Sequence, residues 1–314
     1  MSLDGLLVVD KPAGPTSHDV VQRVRRALGE RRVGHTGTLD PGATGVLPLV
    51  LGRATRLARF LSASEKSYEA VVRLGIATDT YDSEGVPTGP PHDGPWPSRE
   101  TIERVIGAFR GPLLQQPPAF SAKKVAGVRS YVRARAEEPL RTGRGHEAPD
   151  AESAGLLPKP AAVTVHRIDV VDVEAVRIRL RIECSAGFYV RSLAHEVGVQ
   201  LGTGAHLVAL RRVRSGWLDL SDALALDVVE QNPLAARAAV ISLDAMLPSL
   251  SSVVLTEEGA RRAAHGRDLG PEDAAAGAIP AAPSVRLMDR SGRLLGIAEP
   301  GETTGVLHPS VVLV

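Results

Sequence analysis

The feature that most constrains this chain of 314 residues is a glycine-rich segment at residues 34–45, with the sequence GHTGTLDPGATG. Glycine reaches left-handed backbone and lets a chain approach a ligand closely, so the four glycines predict tight turns. One acid, Asp40, stands directly before Pro41, whose ring stiffens the position after the acid. The segment therefore predicts a loop that presents a single carboxylate.

Two other interpretations of this segment use the same residues. An ordinary turn, in which the Asp40 side chain caps nearby backbone, explains the composition equally well. A phosphate-binding loop fits less well, because no Lys-Ser or Lys-Thr pair follows the glycines and the chain continues into the apolar sequence VLPL. The glycines alone leave the choice between a turn and a functional site open.

Further motifs decide this choice. They are DKPAGPTSHDVV at residues 10–21, GHTGTLDPGATGVLPLVLGRATRL at 34–57, TDTYDSEG at 78–85, PPAFSAKKVAGVRSY at 117–131 and CSAGFYVRSLAHEVGVQLGTGAHLVALRR at 184–212. In these motifs and in their order the chain resembles the bacterial TruB family of tRNA pseudouridine synthases. The resemblance favours a functional role for the loop that carries Asp40.

The resemblance implies a fold and a domain organisation. It implies an α+β catalytic domain with a mixed, largely antiparallel sheet at residues 1–248, followed by a small PUA-like β-domain at residues 249–314. An RNA-binding insertion is expected at about residues 120–160 of the catalytic domain. Within it, residues 137–160 have little periodicity and many Gly, Pro and charged residues, so they predict an exposed, mobile loop.

The resemblance also implies a reaction, the isomerisation of uridine to pseudouridine at position 55 of the tRNA T loop after base flipping. The enzyme must break the N1–C1′ bond, rotate the uracil and join C5 to C1′. Since no atom enters or leaves, no cofactor is expected. Asp40 matches the catalytic position of the family, and a carboxylate suits it as nucleophile or proton acceptor. The order of the chemical steps stays open.

Two further catalytic residues follow from the resemblance. A carboxylate that stays charged in a dry site needs a cation beside it, and Arg191 matches the arginine that pairs with the catalytic acid. Tyr68 matches a tyrosine that stacks on the base and is a candidate for handling the C5 proton. From the residues alone, a surface ion pair and a half-buried strand tyrosine are the alternatives for Arg191 and Tyr68.

Five residues are expected to bind the substrate. His35 matches a histidine that fills the gap left by the flipped base, and its alternative is an ordinary loop histidine. Leu210 and Tyr189 are expected to line the pocket wall, although Leu210 fits a core position equally well. Lys11 is expected to shape the pocket floor, and Lys124 belongs to the basic insertion.

Charge points to RNA only through its distribution, because the net charge is +1. Basic residues form three clusters, which predict a phosphate-binding track, with solvated helix faces as the alternative. The clusters are Arg23, Arg25, Arg26, Arg31 and Arg32; then Lys123, Lys124, Arg129, Arg133, Arg135, Arg141 and Arg144; then Arg211, Arg212 and Arg214. The expected partner is therefore the T arm of tRNA.

Composition restricts the cell compartment and the possible metal sites. A single cysteine, Cys184, excludes an intramolecular disulfide and fits the cytoplasm. The sequence contains no run of about 20 apolar residues, so no membrane insertion is expected. None of the nine histidines lies in a metal-ligand pattern such as HExxH, and we expect no metal. We also expect a monomer that needs no protein partner.

Periodicity and capping residues predict the main helices and strands. Helices are expected after caps at Ser17, Ser98 and Thr256 and over 191–201, with Phe109 inside the second; strands are expected over 6–9, 68–74, 163–173 and 176–184, and in the C-terminal sequences VRLMD, LLGIAE and VVLV. Residues 78–97 predict a loop.

Two other functions stay open at this point. One is a dyskerin-like pseudouridine synthase that depends on guide RNA, against which the basic insertion favours an enzyme that grips tRNA itself. The other is a tRNA-folding chaperone whose catalysis is incidental.

Overall fold

The structure is a computed structural model that describes residues 3–119, 124–125, 128–129 and 159–314. Its helices are α1 (Ser17–Leu28), α2 (Ala58–Ser62), α3 (Arg99–Gly107), α4 (Val190–Leu201), α5 (Leu226–Gln231), α6 (Pro233–Ala238) and α7 (Glu257–Ala264). Its strands are β1 (Gly5–Lys11), β2 (Val33–His35), β3 (Thr44–Leu51), β4 (Lys66–Leu74), β5 (Gly111–Gln115), β6 (Lys124–Val125), β7 (Val128–Arg129), β8 (Ala161–Glu174), β9 (Arg177–Cys184), β10 (Ala205–Ser215), β11 (Leu218–Asp219), β12 (Leu224–Ala225), β13 (Ile241–Ser242), β14 (Ser251–Val254), β15 (Val285–Met288), β16 (Leu294–Pro300) and β17 (Leu307–Val312). Except for its last two residues, the loop predicted at 137–160 lies outside the described residues.

The described chain divides into two compact units. The first unit comprises Met1–Gly37, Leu47–Ser62 and Ser221–Val314, and the second comprises Thr38–Val46 and Ala63–Leu220. The boundary expected between residues 248 and 249 does not coincide with this division and stays a prediction.

An antiparallel sheet forms the second unit. Its strands follow the order β10-β4-β9-β8-β5, and each neighbouring pair is antiparallel. The start of β3 adds a parallel pair, in which Thr44 and Gly45 lie opposite Arg211 and Arg212 of β10. Helix α4 packs against β10, and α3 packs against β8. This arrangement confirms the prediction of an α+β fold with a mixed, largely antiparallel sheet.

The alternation predicted for β9 is confirmed. Ile178, Leu180 and Ile182 are buried, whereas the arginines between them are exposed. Since successive strand side chains point to opposite faces, the buried residues contribute one side of the core of this unit. The predicted loop at 78–97 is also confirmed, because no helix or strand is assigned to these described residues.

Helix α1, in the first unit, begins at Ser17, the residue that was predicted to be its cap. The cap is Thr16 rather than Ser17: the Thr16 side chain accepts from the Asp19 N–H, and the Asp19 side chain accepts from the Thr16 N–H. Thr16 has the extended backbone of a capping residue, whereas Ser17 is already helical and buried. The predicted end is correct, with Gly29 at a φ of 62°.

The helix predicted after Ser98 is shorter than its apolar spacing indicates. Ser98 accepts from the Thr101 N–H as predicted, but the helix ends at Gly107, before Phe109. The N–H groups of Ala108 and Phe109 close a tighter turn on the preceding carbonyls, which ends the regular helical hydrogen bonds.

A separate small sheet, with strand order β14-β15-β16-β17, forms the C-terminal part of the first unit. Thr256 caps α7 as predicted, and the buried side chains of this part form their own apolar cluster, which includes Val253, Leu287 and Leu307. Arg53 and Arg56 donate hydrogen bonds to the Leu313 and Val312 carbonyls. The predicted β-module is therefore present, and its PUA-like nature stays a prediction.

Among the helices of the described ranges, none combines the length and the apolar character that crossing a membrane requires.

Candidate active site

Asp40 lies in the turn that leads into β3. The Ala43 N–H donates to the Asp40 carbonyl at 3.1 Å, and the Asp40 side chain is 42% exposed. The glycine at position 45 has a physical reason: its φ is 101°, and a β carbon there would lie 2.2 Å from the Arg212 carbonyl oxygen. Only glycine allows β3 to approach β10 this closely. The loop presents the carboxylate to solvent.

Arg191, the second residue of α4, faces this carboxylate. Its side chain is only 6% exposed, and its Nε lies 2.9 Å from Asp40 Oδ2. Its Nη2 donates a hydrogen bond to Asp40 Oδ1 at 3.2 Å. Both carboxylate oxygens therefore face the planar guanidinium, an arrangement that a lysine could not reproduce.

The guanidinium has a second set of contacts, which the sequence analysis did not identify. Arg191 Nη1 donates to the Thr80 carbonyl at 3.0 Å and lies 3.4 Å from Asp82 Oδ2. The sequence predicted a loop over residues 78–97 and a family motif within it, but no role for Thr80 or Asp82. The available signal was the TDTYDSEG motif at residues 78–85, which carries both residues.

Tyr68 is more buried than expected, with 9% exposure. Its hydroxyl is hydrogen-bonded to Arg212. Burial raises the pKa of the Tyr68 hydroxyl, Arg212 opposes this effect, and the Asp40 carboxylate adds to it. Tyr68 therefore lies within the electrostatic range of Asp40 and is uncharged at neutral pH.

Arg212 corrects the prediction of a phosphate-binding cluster at residues 211–214. The side chain is 1% exposed, and its Nε donates to the Val46 carbonyl at 2.7 Å. Burial lowers the pKa of this guanidinium, while Tyr68 raises it. A group buried to this extent cannot contact a phosphate at the surface, so for Arg212 the prediction was wrong. The alternation of β10 turns this side chain inward.

Tyr189 and Leu210, the predicted wall residues, lie on different elements of the same unit. Tyr189 occupies the N-cap position of α4, and its backbone N–H and carbonyl both pair with the Gln115 side chain, at 2.7 and 2.9 Å. Leu210 lies in β10 opposite Ala70 of β4. Both are half-buried, which is compatible with a pocket wall. Their contact with a base stays a prediction.

His35 and Lys11 belong to the first unit. His35 ends β2, opposite Leu49 of β3. Lys11 is fully buried at the end of β1, and its Nζ donates to the Pro12 carbonyl at 2.9 Å. Lys124 lies in β6, which pairs with β7. The roles of all three in substrate binding stay predictions, and the remaining residues of the second basic cluster, apart from Arg129, lie outside the described residues.

The arrangement provides one solvent-accessible carboxylate held by a buried cation, with an uncharged tyrosine in electrostatic range. Such a carboxylate can act on an electron-poor carbon or accept a proton. Within the described ranges, no group of three or more His, Cys, Asp and Glu side chains is arranged to hold a metal ion.

Family models match most of the chain. Residues 25–190 match the N-terminal domain of the TruB family of pseudouridylate synthases, and residues 191–254 match the C-terminal domain of tRNA pseudouridylate synthase B. The second match begins at Arg191, so the Asp40–Arg191 pair joins the two matched segments.

Curated relatives match over nearly the full length. The tRNA pseudouridine synthase B of Solibacter usitatus (strain Ellin6076) is 41% identical over 313 residues, which cover 99% of this chain and 100% of that protein. The protein of the same name from Geobacter sulfurreducens is 40% identical, covering 95% of this chain and 93% of that protein. That from Thermobifida fusca is 40% identical, covering 98% of both chains.

Solved structures share the fold. A chain of a Cbf5-Nop10-Gar1 complex superposes with a TM-score of 0.71 at 26% identity, covering 99% of this chain and 85% of that chain. A chain of an H/ACA RNP bound to a substrate RNA containing 2′-deoxyuridine gives the same TM-score at 23% identity, covering 99% of this chain and 86% of that chain.

Proposed function

We propose that this chain, which belongs to the TruB family of pseudouridylate synthases, isomerises uridine 55 in the T loop of tRNA to pseudouridine. The observation that carries the proposal is the Asp40 carboxylate, 42% exposed and held at 2.9 Å by a guanidinium that is itself 6% exposed. The names of the relatives, tRNA pseudouridine synthase B, support tRNA as the substrate.

The reaction places three demands on the site. A group must act on the nucleoside while the N1–C1′ bond breaks, and Asp40 is accessible for this step as a nucleophile or proton acceptor. The freed uracil must be held while it rotates, and the Tyr68 ring offers a flat partner. The C5 proton must leave after C5 joins C1′, and we assign Tyr68 to this step as a relay. Its neutral hydroxyl accepts the C5 proton while it gives its own proton to water or to the Asp40 carboxylate.

Access to the target base requires its extraction from the T loop. Flipping a base costs a few kcal/mol of unstacking and leaves a gap in the RNA. We assign the filling of this gap to His35 and the pocket wall to Leu210 and Tyr189. We assign Lys11 to the pocket floor and Lys124 to the phosphate backbone.

The decisive experiment incubates the pure protein with an unmodified tRNA transcript, without cofactor, metal or a second RNA. Pseudouridine is mapped by carbodiimide-dependent primer extension. We expect one product site, uridine 55, and no product from a transcript in which cytidine replaces that uridine. Product at another position only, or no product, would refute the proposal.

The same experiment tests the guide-dependent alternative, and the Asp40→Asn variant tests the chaperone alternative. A guide-dependent enzyme, the alternative left open by the sequence, would form no product without a second RNA. A folding chaperone would keep its effect on tRNA folding in the Asp40→Asn variant. We expect the rate of pseudouridine formation in that variant to fall about 10³-fold or more. Product from the pure protein would also show that no protein partner is required.

A further inference from the structure

The guanidinium of Arg191 is held from two sides. Asp40 occupies one side, and the short turn Thr80–Asp82 occupies the other through the Thr80 carbonyl and the Asp82 carboxylate. Asp82 is itself fixed, because its Oδ1 accepts from the Thr80 hydroxyl at 2.6 Å. The orientation of the cation therefore depends on where this turn lies relative to α4.

Tyr81, the central residue of the turn, has a φ of 65°. This left-handed backbone is disfavoured for a residue with a β carbon, so surrounding contacts must maintain it. Two backbone hydrogen bonds do so in part: the Tyr81 N–H donates to the Thr78 carbonyl at 3.2 Å, and the Tyr81 carbonyl accepts from the Leu207 N–H at 2.9 Å. Neither of these bonds reaches α4.

The Tyr81 ring makes the connection to α4. It stacks on the His195 ring with a centroid distance of 4.0 Å and an interplanar angle of 15°. His195 follows Arg191 by four residues in α4, so both side chains project from the same face of the helix. One face of α4 thus contacts the turn twice, through the guanidinium and through the imidazole.

Packing rather than hydrogen bonding holds this part of the imidazole. No described residue forms a hydrogen bond with the buried Nδ1 of His195. Burial lowers the pKa of His195, with Glu196 opposing, and burial raises the pKa of Tyr81, to which Glu196 adds. Both rings are therefore uncharged at neutral pH and stack without a net charge on either.

We propose that Tyr81 and His195 are positioning residues for the reaction: their stacked rings hold the turn Thr80–Asp82 against α4, so that the Arg191 guanidinium faces Asp40. Neither residue is placed in contact with the substrate. The proposal rests on the proposed function, since it assigns the pair an effect on the rate of that reaction.

Four variants separate the stack from the backbone. Tyr81→Gly removes the ring but retains a residue that adopts a positive φ without strain. His195→Ala removes the other ring. Tyr81→Phe and His195→Phe keep an aromatic ring at each position. His92→Ala is the matched control, because His92 and Trp96 form another aromatic pair of the same unit, with a distance of 5.0 Å between their ring centroids.

The measured quantities are kcat and KM for the tRNA transcript. We expect kcat to fall about tenfold in Tyr81→Gly and in His195→Ala, with KM unchanged, because a displaced guanidinium impairs the step and not RNA binding. In the double variant kcat should be about as low as in the less active of the two single variants, since both changes remove the same stack. Tyr81→Phe, His195→Phe and His92→Ala should stay within about twofold of the original chain.

Three results would overturn the proposal: an unchanged kcat in Tyr81→Gly and His195→Ala, a loss in Tyr81→Phe as large as that in Tyr81→Gly, or multiplied losses in the double variant. If the original chain forms no pseudouridine, the proposed function fails instead. Crystal structures of the original chain and of Tyr81→Gly then decide the stack. Unchanged distances between Arg191 and Asp40 would refute it, and a displaced guanidinium would support it.

Discussion

Arg191 and Arg212 are two buried arginines of the same unit with opposite surroundings. Both side chains are buried, with residue exposures of 5% and 1%. Arg191 faces two carboxylates, and that of Asp40 is open to solvent. Arg212 binds the Val46 carbonyl and the Tyr68 hydroxyl, both inside the unit.

The difference teaches that burial of a cation does not by itself indicate chemistry. What distinguishes the two arginines is how far their partners are exposed, 42% for the Asp40 side chain and 9% for Tyr68. Arg191 holds the exposed Asp40 carboxylate, whereas Arg212 holds a backbone carbonyl and the buried hydroxyl of Tyr68. The Arg191 contacts should act directly on the rate of the reaction. The Arg212 contacts should act first on stability, and on the rate only through Tyr68.

The largest effect is expected for Arg191→Lys. The charge stays, but the two-oxygen contact with Asp40 is lost, and we expect kcat to fall about 100-fold. Kinetics with the tRNA transcript measure this, with thermal unfolding as the check that the fold is intact. Near-normal turnover would remove the distinction between the two arginines.

Arg212→Met should lower the free energy of unfolding by about 2 kcal/mol, because it leaves the Val46 carbonyl and the Tyr68 hydroxyl without this partner. Urea denaturation measures this loss. The control is Arg179→Met in β9, where the side chain is 58% exposed and the change should stay within about 0.5 kcal/mol. Unchanged stability with weaker RNA binding would restore the phosphate-binding interpretation of Arg212.

Asp82→Asn sharpens the comparison from the side of Arg191. The amide keeps an oxygen for the Thr80 hydroxyl but removes the charge that faces Arg191 Nη1. We expect kcat to fall about tenfold, in proportion to one lost charge-assisted contact. The matched control is Asp79→Asn, whose carboxylate accepts from the Val86 N–H. Equal effects of the two variants would contradict the assignment.

The smallest effect concerns Lys66, whose ammonium is repelled by the charge of Arg212. Burial, with Arg212 adding to it, lowers the pKa of Lys66 from 10.5 to about 8. From about pH 8 upward the unfolded chain therefore binds more protons than the folded chain, and this lysine's penalty on folding decreases. Between pH 8 and pH 9 the original chain should gain about 1 kcal/mol of stability relative to Lys66→Met. Urea denaturation at both pH values measures this. The same stability difference between the original chain and Lys66→Met at both pH values would contradict it.

Local signals in the sequence predicted most elements correctly. Capping residues located α3 and α7, and the alternation of arginines with aliphatic residues in β9 identified its buried face. Errors arose where neighbouring residues compete for one role. Thr16 and Ser17 are both good caps, and only the backbone conformation shows which of them accepts the hydrogen bond.

The candidate site was accessible to sequence reasoning only in part. The glycine segment singled out Asp40, and the resemblance supplied Arg191 and Tyr68. Asp82 was not found although the TDTYDSEG motif marked its segment, because the sequence does not show which carboxylate of the motif meets a cation. Arg212 was misassigned, because a charged triplet at the end of a strand resembles a surface cluster.

The sequence by itself determined the family, the local elements and the presented carboxylate, since these depend on residue types at short spacing. Only the tertiary structure decided the surroundings of Arg191 and Arg212, the contact between the Thr80–Asp82 turn and α4, and the need for glycine at position 45. These properties depend on residues that are far apart in the chain, and the distances between such residues are set by how the strands and helices pack.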